Sequence, residues 1–279
     1  MTRDGASSYL ESLFSVAGKT AVVTGGATGI GRIIAEMLVR AGADVLVASR
    51  KAKGCEECAA SLNKLGARGS ALGIAGDIST ESGVLALAEH IGRRFPRLSI
   101  LVNNAGKTWG APLEDFPHSA WENVFSVNVA GLFALTQNLL PQLTAAGTAD
   151  DPARIINLGS VMGHQPMGDG AYSYAASKAS VHHLTRILAK ELAPRRITVN
   201  ALAPGVFESR MTAFATTDAT RLARLEQRIP LGRLGRPEDI ASAMLFLCGR
   251  GGAYVTGAIV NIDGGVGVES GPDLWGSGP

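Results

Sequence analysis

Short apolar runs alternate along the chain with longer segments in which apolar residues recur at helical spacing. Parallel strands that are covered on both faces have this near-continuous apolar character, and helices usually connect them. The pattern therefore predicts an α/β fold with a doubly wound sheet. The predicted strands occupy residues 20–24, 44–48, 70–75, 99–102, 153–160, 197–201 and 258–262.

The chain shows neither a solenoid-type repeat nor a composition shift that marks a domain boundary, so we predict one domain over residues 18–265. Residues 1–17 are small and polar with a few apolar anchors, and they predict an N-terminal arm. Residues 207–229 have a polar helical pattern with little core signal, which is typical of a mobile lid. Residues 266–279 are rich in Gly and Ser and predict a poorly ordered C-terminal tail.

Composition narrows the classes of function. The chain has 279 residues, a formal net charge of +2 and 18% charged residues, without a basic stripe, which argues against nucleic acid as a partner. It has no run of about 18 uncharged apolar residues and no apolar signal core, so we expect a cytoplasmic protein without a membrane span. Cys55 and Cys58 lack a second ligand pair, so we predict structural thiols and no metal site.

A glycine-rich segment follows the first predicted strand and precedes a helical pattern. Its glycines let the backbone turn sharply and approach a pyrophosphate, which the free N–H groups and the dipole of the helix N-terminus then hold. A tight turn without a ligand is the alternative, but the position between strand and helix favours nucleotide binding. We assign cofactor binding to Gly25, Thr28, Gly29, Ile30 and Gly31.

The residues after the second predicted strand indicate which dinucleotide is bound. Sites that prefer NAD place a carboxylate here, which accepts from both ribose hydroxyls and repels a 2′-phosphate. This chain offers a hydroxyl and a guanidinium instead, at Ser49 and Arg50, with Lys51 and Lys53 next. We infer NADP(H) as the cofactor, while a solvated basic surface is the alternative.

Polar residues also end the third and fourth predicted strands. Asp77 and Ile78 follow the third strand, where an Asp can accept from an adenine amino group or cap the helix that follows. Asn104, Ala105 and Gly106 follow the fourth, where an amide can hold the turn and contact the cofactor ribose. We assign both groups to cofactor binding.

Tyr174 and Lys178 lie four positions apart in a predicted helix, so their side chains leave the same face. A nearby ammonium favours the phenolate and lowers the pKa of the phenol towards neutrality, which makes a proton donor or acceptor. Taken alone, the pair is also compatible with a core Tyr beside a solvated Lys. Ser160 ends the preceding strand, and Asn128 lies inside a predicted long helix over 118–143, where Asn is unfavourable unless something local uses it.

Together these motifs resemble those of the short-chain dehydrogenases/reductases over about Gly18 to Gly265. The resemblance implies a Rossmann fold with a parallel seven-stranded sheet in a single domain. It also implies hydride transfer between NADP(H) and a carbonyl or secondary alcohol. The matching residues are Thr24-Gly25-x-x-x-Gly29-x-Gly31, Asn103-Asn104-Ala105-Gly106, Ser160, Tyr174-x-x-x-Lys178 and Pro204-Gly205.

The resemblance also implies a catalytic tetrad of Asn128, Ser160, Tyr174 and Lys178. In such enzymes the Tyr delivers or removes the hydroxyl proton, and the Ser donates to the carbonyl oxygen. The Lys lowers the pKa of the Tyr and holds the nicotinamide ribose, while the backbone carbonyl of the Asn positions a relay water. The residues implied to hold the carboxamide and the phosphates are Pro204, Gly205, Val206 and Ser209.

Within this family the chain is similar to the 3-oxoacyl thioester reductases, of the type that serves bacterial rhamnolipid synthesis. The similarity lies in Lys107–Gly110, in the connector before Ala153 and in Phe207–Thr212. It implies a small-molecule ketone or acyl thioester as substrate and a homotetramer or homodimer as the assembly.

Three residues outside the tetrad are candidate substrate contacts, Trp109, His164 and Met211. For His164 a solvent-facing loop position is an equal alternative, and Trp109 either walls the substrate or covers the core. A polyol, sugar-acid or other secondary-alcohol dehydrogenase stays open as an alternative enzyme. A dinucleotide-binding regulator without catalysis is the alternative from another class, and the complete tetrad argues against it.

Overall fold

The structure is a computed structural model that describes residues 3–167, 170–208 and 218–268, with side chains from Tyr9 onward. Its strands are β1 Thr20–Thr24, β2 Asp44–Ser49, β3 Ser70–Ala75, β4 Ile100–Asn103, β5 Ala153–Leu158, β6 Ile197–Pro204 and β7 Ile259–Ile262. Its α-helices are α1 Arg3–Phe14, α2 Gly29–Arg40, α3 Ala52–Asn63, α4 Glu81–Arg94, α5 Ser119–Phe125, α6 Leu132–Asn138, α7 Leu140–Ala146, α8 Tyr172–Leu192, α9 Ala219–Gln227 and α10 Pro237–Cys248.

The strands form one parallel sheet in the order β3-β2-β1-β4-β5-β6-β7. Every residue of β4, β5 and β6 is buried, as expected for strands with helices on both faces. The edge strand β3 alternates between exposed and half-buried positions. The predicted seven-stranded Rossmann fold is therefore confirmed. Its central strands are mostly apolar, with Arg154, Asn157, Thr198 and Asn200 as buried polar residues.

Two apolar clusters cover the two faces of the sheet. Val23 of β1 joins a cluster with α2, α3 and α10, whereas its neighbour Val22 joins a cluster with α4, α6, α7 and α8. Adjacent strand residues point to opposite faces, so the clusters lie on opposite sides. Burial of a single Leu or Ile side chain in such a core stabilises the fold by about 1.5–3 kcal/mol.

Strand β1 lies between β2 and β4 in the sheet, so the chain order reverses there. In open α/β sheets a ligand binds outside the carboxyl ends of the strands at such a switch point. Thr24 and Asn103 are the residues at which β1 and β4 end. The fold therefore predicts a ligand site at this edge of the sheet.

The arm predicted over residues 1–17 contains α1, which packs against the end of α10. A Cβ on Gly249 would lie 2.4 Å from the carbonyl oxygen of Leu13, so the two segments approach closely. Of the lid predicted over 207–229, residues 207–208 and 218–229 are described, and α9 within it has no buried residue. The role of this segment as a lid stays a prediction.

The helix predicted over 118–143 is broken in two ways. A π-helical turn, Ser126–Gly131, separates α5 from α6, and α7 begins with Pro141 in its first turn and bends away by 57°. Gly131 permits the packing of the π-turn, because a Cβ there would meet the carbonyl oxygen of Ile78.

Among the described residues, no single helix has both the length and the apolar character needed to cross a membrane. One bent pair, Ser119–Asn138 with Leu140–Ala146, meets those two criteria only when its members are taken together.

Candidate active site

The glycine-rich turn between β1 and α2 packs tightly against the loop after β4. Gly25 and Gly29 have φ angles of 63° and 56°, a region that favours glycine. A Cβ on Gly31 would lie 2.3 Å from Nδ2 of Asn104 and 2.5 Å from the carbonyl oxygen of Gly25. The glycines therefore allow a compact turn at the N-terminus of α2, whose first N–H groups lack intrahelical acceptors.

Thr24 at the end of β1 fixes the loop after β4. Its Oγ1 accepts from the backbone N–H groups of Asn104 at 3.0 Å and Ala105 at 3.1 Å, and donates to the carbonyl of Val102 at 3.3 Å. Nδ2 of Asn104 donates back to the carbonyl of Thr24 at 2.9 Å. The predicted turn-holding role of Asn104 is thus present, while the organising role of Thr24 was missed, and its position just before Gly25 was the available signal.

At the end of β2, Ser49 is half-buried and Arg50 is exposed. Oγ of Ser49 lies 3.0 Å from Sγ of Cys55 in α3. Both cysteines of the Cys-x-x-Cys segment are free and buried, as predicted for structural thiols. The contact with Cys55 therefore holds the Ser49 hydroxyl in place, next to the exposed guanidinium of Arg50.

Asp77, which follows β3, lies in the field of two cations. Hydrogen bonds from Ser79, with smaller contributions from the charges of Arg50 and Lys107, lower the pKa of the Asp77 carboxyl. The helix cap considered for Asp77 belongs instead to Thr80, whose Oγ1 accepts from the backbone N–H of Gly83 at 3.2 Å. Asp77 forms a tighter turn, because its Oδ1 accepts from the backbone N–H of Ser79 at 2.9 Å.

Asn128 is buried within the π-turn and joins three segments of the chain. Its Nδ2 donates to the carbonyl of Lys107 and to Oγ of Ser177, each at 2.9 Å. Its Oδ1 accepts from the backbone N–H of Lys107 at 2.8 Å. Asn128 thus ties the loop after β4 to α8, which accounts for an Asn inside a helical segment. Ser177 was not singled out from the sequence.

Ser160, just beyond β5, and Tyr174, in the first turn of α8, are brought together. The Ser160 side chain hydrogen-bonds to the phenol of Tyr174. Oγ of Ser160 also accepts from the backbone N–H of Met162 at 3.2 Å, so its single O–H proton is the one directed at the phenol oxygen. A carbonyl oxygen bound between the hydroxyl and the phenol would replace the phenol oxygen as the acceptor of that proton.

Lys178 is 5% exposed and lies one helical turn after Tyr174. Its Nζ donates to the carbonyl of Leu158 at 2.6 Å and lies 5.5 Å from the centroid of the Tyr174 ring. Burial lowers the pKa of the Lys178 ammonium to about 8. A buried ammonium with a lowered pKa is typical of a functional site.

The pKa of Tyr174 moves in the direction opposite to the sequence-based expectation. Burial raises the pKa of the phenol, and the hydrogen bond from Ser160 opposes that shift. Lys178 donates to the Leu158 carbonyl rather than to the phenol oxygen, so desolvation outweighs the effect of its charge. The protein groups alone therefore keep Tyr174 protonated at neutral pH, as a proton donor must be.

The end of β6 places Pro204, Gly205 and Val206 at the same edge of the sheet. The backbone N–H of Gly205 donates to the carbonyl of Ile262 at 2.9 Å, and the carbonyl of Val206 accepts from the backbone N–H of Gly235 at 3.0 Å. The first contact joins the ends of β6 and β7, and the second joins the chain after β6 to the loop before α10. Their predicted contact with the cofactor carboxamide stays a prediction.

Four predicted residues are less informative. Ser209 and Met211 lie outside the described residues. Trp109 is 47% exposed, on a loop whose next residues approach Gly170. The ring of His164 contacts His182 and Asn261, so its contacts give no support to a place in the substrate pocket.

Comparisons with known proteins identify the family of this chain. A family model described as Enoyl-(Acyl carrier protein) reductase matches residues 25–267. The rhamnolipids biosynthesis 3-oxoacyl-[acyl-carrier-protein] reductase of Pseudomonas aeruginosa is 48% identical over 252 residues, which cover 90% of this chain and 97% of that protein.

Two solved structures extend the comparison. The Pseudomonas aeruginosa RhlG/NADP active-site complex has a TM-score of 0.88 and 46% identity, over 92% of this chain and 99% of that one. A gluconate 5-dehydrogenase from Burkholderia cenocepacia, in complex with NADP and tartrate, has a TM-score of 0.85 and 30% identity, over 93% of this chain and 99% of that one. The chain belongs to the family that the matching model describes, within the short-chain dehydrogenases/reductases.

Proposed function

We propose that this protein reduces a 3-oxoacyl thioester to the 3-hydroxyacyl thioester with NADPH. The observation that carries the proposal is the cluster of Ser160, Tyr174 and Lys178 beside the glycine-rich turn. The relative from Pseudomonas aeruginosa, which is a 3-oxoacyl-[acyl-carrier-protein] reductase, supports the choice of substrate.

The residues at this edge fit an NADP(H) cofactor. An ammonium has three protons, and among the described residues the Nζ of Lys178 has one acceptor, the carbonyl of Leu158, so it retains donors for ribose hydroxyls. A Cβ built on Gly106 would lie 3.8 Å from that Nζ and 3.4 Å from Oδ1 of Asn128, so this glycine lines the same space. The N-terminus of α2 suits a pyrophosphate, and exposed Arg50 suits a 2′-phosphate.

The bound cofactor supplies the hydride, and the chain supplies orientation and the proton. The O–H of Ser160 donates to the carbonyl oxygen of the substrate and stabilises the charge that develops there. Tyr174, protonated at neutral pH, gives its proton to that oxygen. Lys178 then stabilises the phenolate that remains. The raised pKa of Tyr174 keeps the phenol in the protonated state that reduction requires.

We further propose that the protein is a homodimer or homotetramer, and that it works in the cytoplasm. Phe133 on α6, Ile187 on α8 and Tyr254 before β7 are 41%, 48% and 102% exposed, and a subunit contact would cover such side chains. Light scattering after size exclusion tests the assembly, and a monomer would contradict it. Cell fractionation tests the location.

Initial rates of NADPH oxidation test the substrate. Acetoacetyl thioester, a β-keto ester, an aryl ketone, a keto-sugar acid and an enoyl thioester are offered to the purified protein in parallel. We expect fastest turnover with the acetoacetyl thioester. Faster turnover of the keto-sugar acid would favour the function of the gluconate 5-dehydrogenase relative, and turnover of the enoyl thioester alone would contradict ketone reduction.

Cofactor choice is tested by Arg50→Asp. Because the new carboxylate repels a 2′-phosphate and accepts from ribose hydroxyls, we expect the ratio of kcat/KM for NADPH over NADH to fall roughly tenfold or more. Lys53→Asp is the matched control, since Lys53 is an exposed cation on α3 with the same charge change. An equal effect in both variants would mean that general charge, not Arg50, selects the cofactor.

A further inference from the structure

His182 is a buried histidine behind the candidate active site. It lies on α8 one turn after Lys178 and is 5% exposed, whereas its neighbour His183 is exposed. The chemistry proposed above makes no use of it. A buried imidazole beside a catalytic loop therefore needs an explanation of its own.

The imidazole fills a space that two glycines leave beneath Ser160. A Cβ on Gly159 would lie 2.2 Å from Nε2 of His182, and a Cβ on Gly163 would lie 2.6 Å from its Cε1. Nε2 lies 3.5 Å from the backbone nitrogen of Ser160, in the geometry of a long hydrogen bond. The ring is thus enclosed by the chain on both sides of Ser160.

We propose that His182 is a positioning residue for Ser160, with a neutral imidazole that carries its proton on Nδ1 and accepts the backbone N–H of Ser160 on Nε2. A backbone N–H only donates, so Nε2 must offer its lone pair, and this fixes the tautomer. The inference rests on the proposed function, because it concerns the serine that donates to the substrate.

Three hydrogen bonds of Ser160, besides the one to the Tyr174 phenol, explain why this contact matters. Its backbone N–H donates to His182, its carbonyl accepts from the backbone N–H of Gly163 at 2.9 Å, and its Oγ accepts from that of Met162 at 3.2 Å. The last two bonds come from the following turn and move with it. His182 ties the backbone of Ser160 to α8, which also carries Tyr174, so it helps to set the distance between hydroxyl and phenol.

The surroundings of His182 keep the imidazole neutral. Burial, with smaller contributions from His164, Lys178 and Arg186, lowers the pKa of His182 to about 4. The His164 ring is 5.7 Å away and contacts Asn261, 3.4 Å from its Nε2. Every titratable group named here carries positive charge when protonated, so none stabilises an imidazolium. The acceptor on Nε2 therefore persists through the physiological range.

The tautomer is tested directly on the full-length protein by long-range ¹H–¹⁵N correlation spectra at pH 7. The His182→Gln variant assigns the signal, which disappears from its spectrum. We expect a protonated Nδ1 and an unprotonated Nε2. A proton on Nε2 would overturn the inference. This readout does not depend on activity, so it stands even if none of the ketones offered is reduced and the proposed function fails.

Kinetics test the positioning role. His182→Leu removes the acceptor, and we expect kcat to fall roughly 10- to 100-fold, with the KM for NADPH unchanged. His182→Gln places an oxygen acceptor near the position of Nε2 and is expected to restore most of kcat. His183→Leu is the matched control and is expected to leave kcat unchanged. Loss of kcat in the control as well, or none in His182→Leu, would overturn the inference.

Gly159→Ala supplies a second variant that changes no titratable group. Its Cβ displaces the imidazole, so we expect a loss of kcat like that of His182→Leu. In a His182→Ala background the imidazole is absent and the nearest remaining atom is the carbonyl oxygen of Leu202 at 3.1 Å, so the same substitution is expected to cause little further loss. Additive losses in the double variant would mean that Gly159 and His182 act separately, which contradicts the proposal.

Discussion

A buried cation lies at each end of strand β5, Arg154 within the strand and Lys178 on the adjacent helix α8. The two cations differ in the acceptors that surround them. Arg154 near the start of the strand is fully buried and donates to Oδ1 of Asp151 at 2.9 Å, to the carbonyls of Leu247 and Gly249 at 3.0 and 2.9 Å, and to that of Pro152. Lys178 beside the end of the strand has, among the described residues, the carbonyl of Leu158 as its acceptor.

The difference separates a structural cation from one with a proposed functional role. Arg154 has a carboxylate and several carbonyls, which offset the cost of removing a guanidinium from water. Lys178 lacks a carboxylate partner in the described part of the chain, and burial lowers its pKa to about 8. A cation kept in this costly state points to a ligand or a reaction rather than to stability.

Lys178→Met should give the largest effect. Because the ammonium proposed to stabilise the phenolate and to hold the ribose is lost, we expect kcat/KM to fall roughly 10²- to 10⁴-fold, while urea denaturation shows no loss of stability. Lys190→Met, at an exposed position of the same helix, is the control and should leave both properties unchanged. A destabilised Lys178→Met protein would erase the distinction between the two cations.

Arg154→Met should show the reverse. Loss of the guanidinium leaves buried carbonyls without a donor, so we expect the free energy of unfolding to fall by about 3 kcal/mol or more, with kcat per folded molecule unchanged. Arg93→Met is the comparison, since Arg93 forms an exposed pair with Glu89 and should contribute about 0.5 kcal/mol or less. Equal effects of the two substitutions would show that the buried bonds of Arg154 add nothing.

The pH dependence of stability sharpens the account of Lys178. Its pKa is lowered from 10.5 to about 8, so the unfolded chain binds more protons between these values and native stability rises with pH across that window. The penalty removed in Lys178→Met, about 3 kcal/mol at pH 7, should therefore disappear by about pH 10.5. A constant difference in unfolding free energy between the two proteins over this range would contradict a buried, strained ammonium.

Asp151→Asn should give the smallest of these predicted effects. Asp151 accepts from Nζ of Lys19 at 2.7 Å as well as from Arg154, and its side chain is 35% exposed. Solvent screens the charge, and the amide oxygen still accepts one bond, so we expect a loss of about 1 kcal/mol in denaturation experiments. A loss as large as that of Arg154→Met would mean that charge pairing, rather than the carbonyl acceptors, stabilises the guanidinium.

The sequence predicts the sheet well because one pattern, mostly apolar runs separated by helical segments, indicates both that the strands are buried on two faces and that they run parallel. A strand covered on both faces needs a mostly apolar run, and the segments 153–160 and 197–201 are too short to form a helix of comparable burial. The tetrad and the glycine-rich turn were predicted from the spacing of motifs such as Gly25-x-x-x-Gly29 and Tyr174-x-x-x-Lys178 and from the family resemblance they carry. Their roles in binding and catalysis stay predictions.

What the sequence could not predict depends on contacts between distant segments. The π-turn at 126–131 follows from Asn128 reaching Lys107 and Ser177, which no local pattern reports. The raised pKa of Tyr174 arises from burial, whereas helical spacing alone suggested a lowered one. The enclosure of His182 by Gly159 and Gly163 likewise appears only when α8 is packed against the loop.

The close packing of Gly31 has a consequence for mutational scanning. A side chain at this position meets the Asn104 amide and the carbonyl of Gly25 before it meets any nucleotide. In a library selected for abundance alone, with no requirement for turnover, substitutions at Gly31 should already be depleted. If Gly31 were assigned to phosphate binding because it tolerates no substitution, that inference would be mistaken. The intolerance would instead reflect the packing that joins the ends of the first and fourth strands.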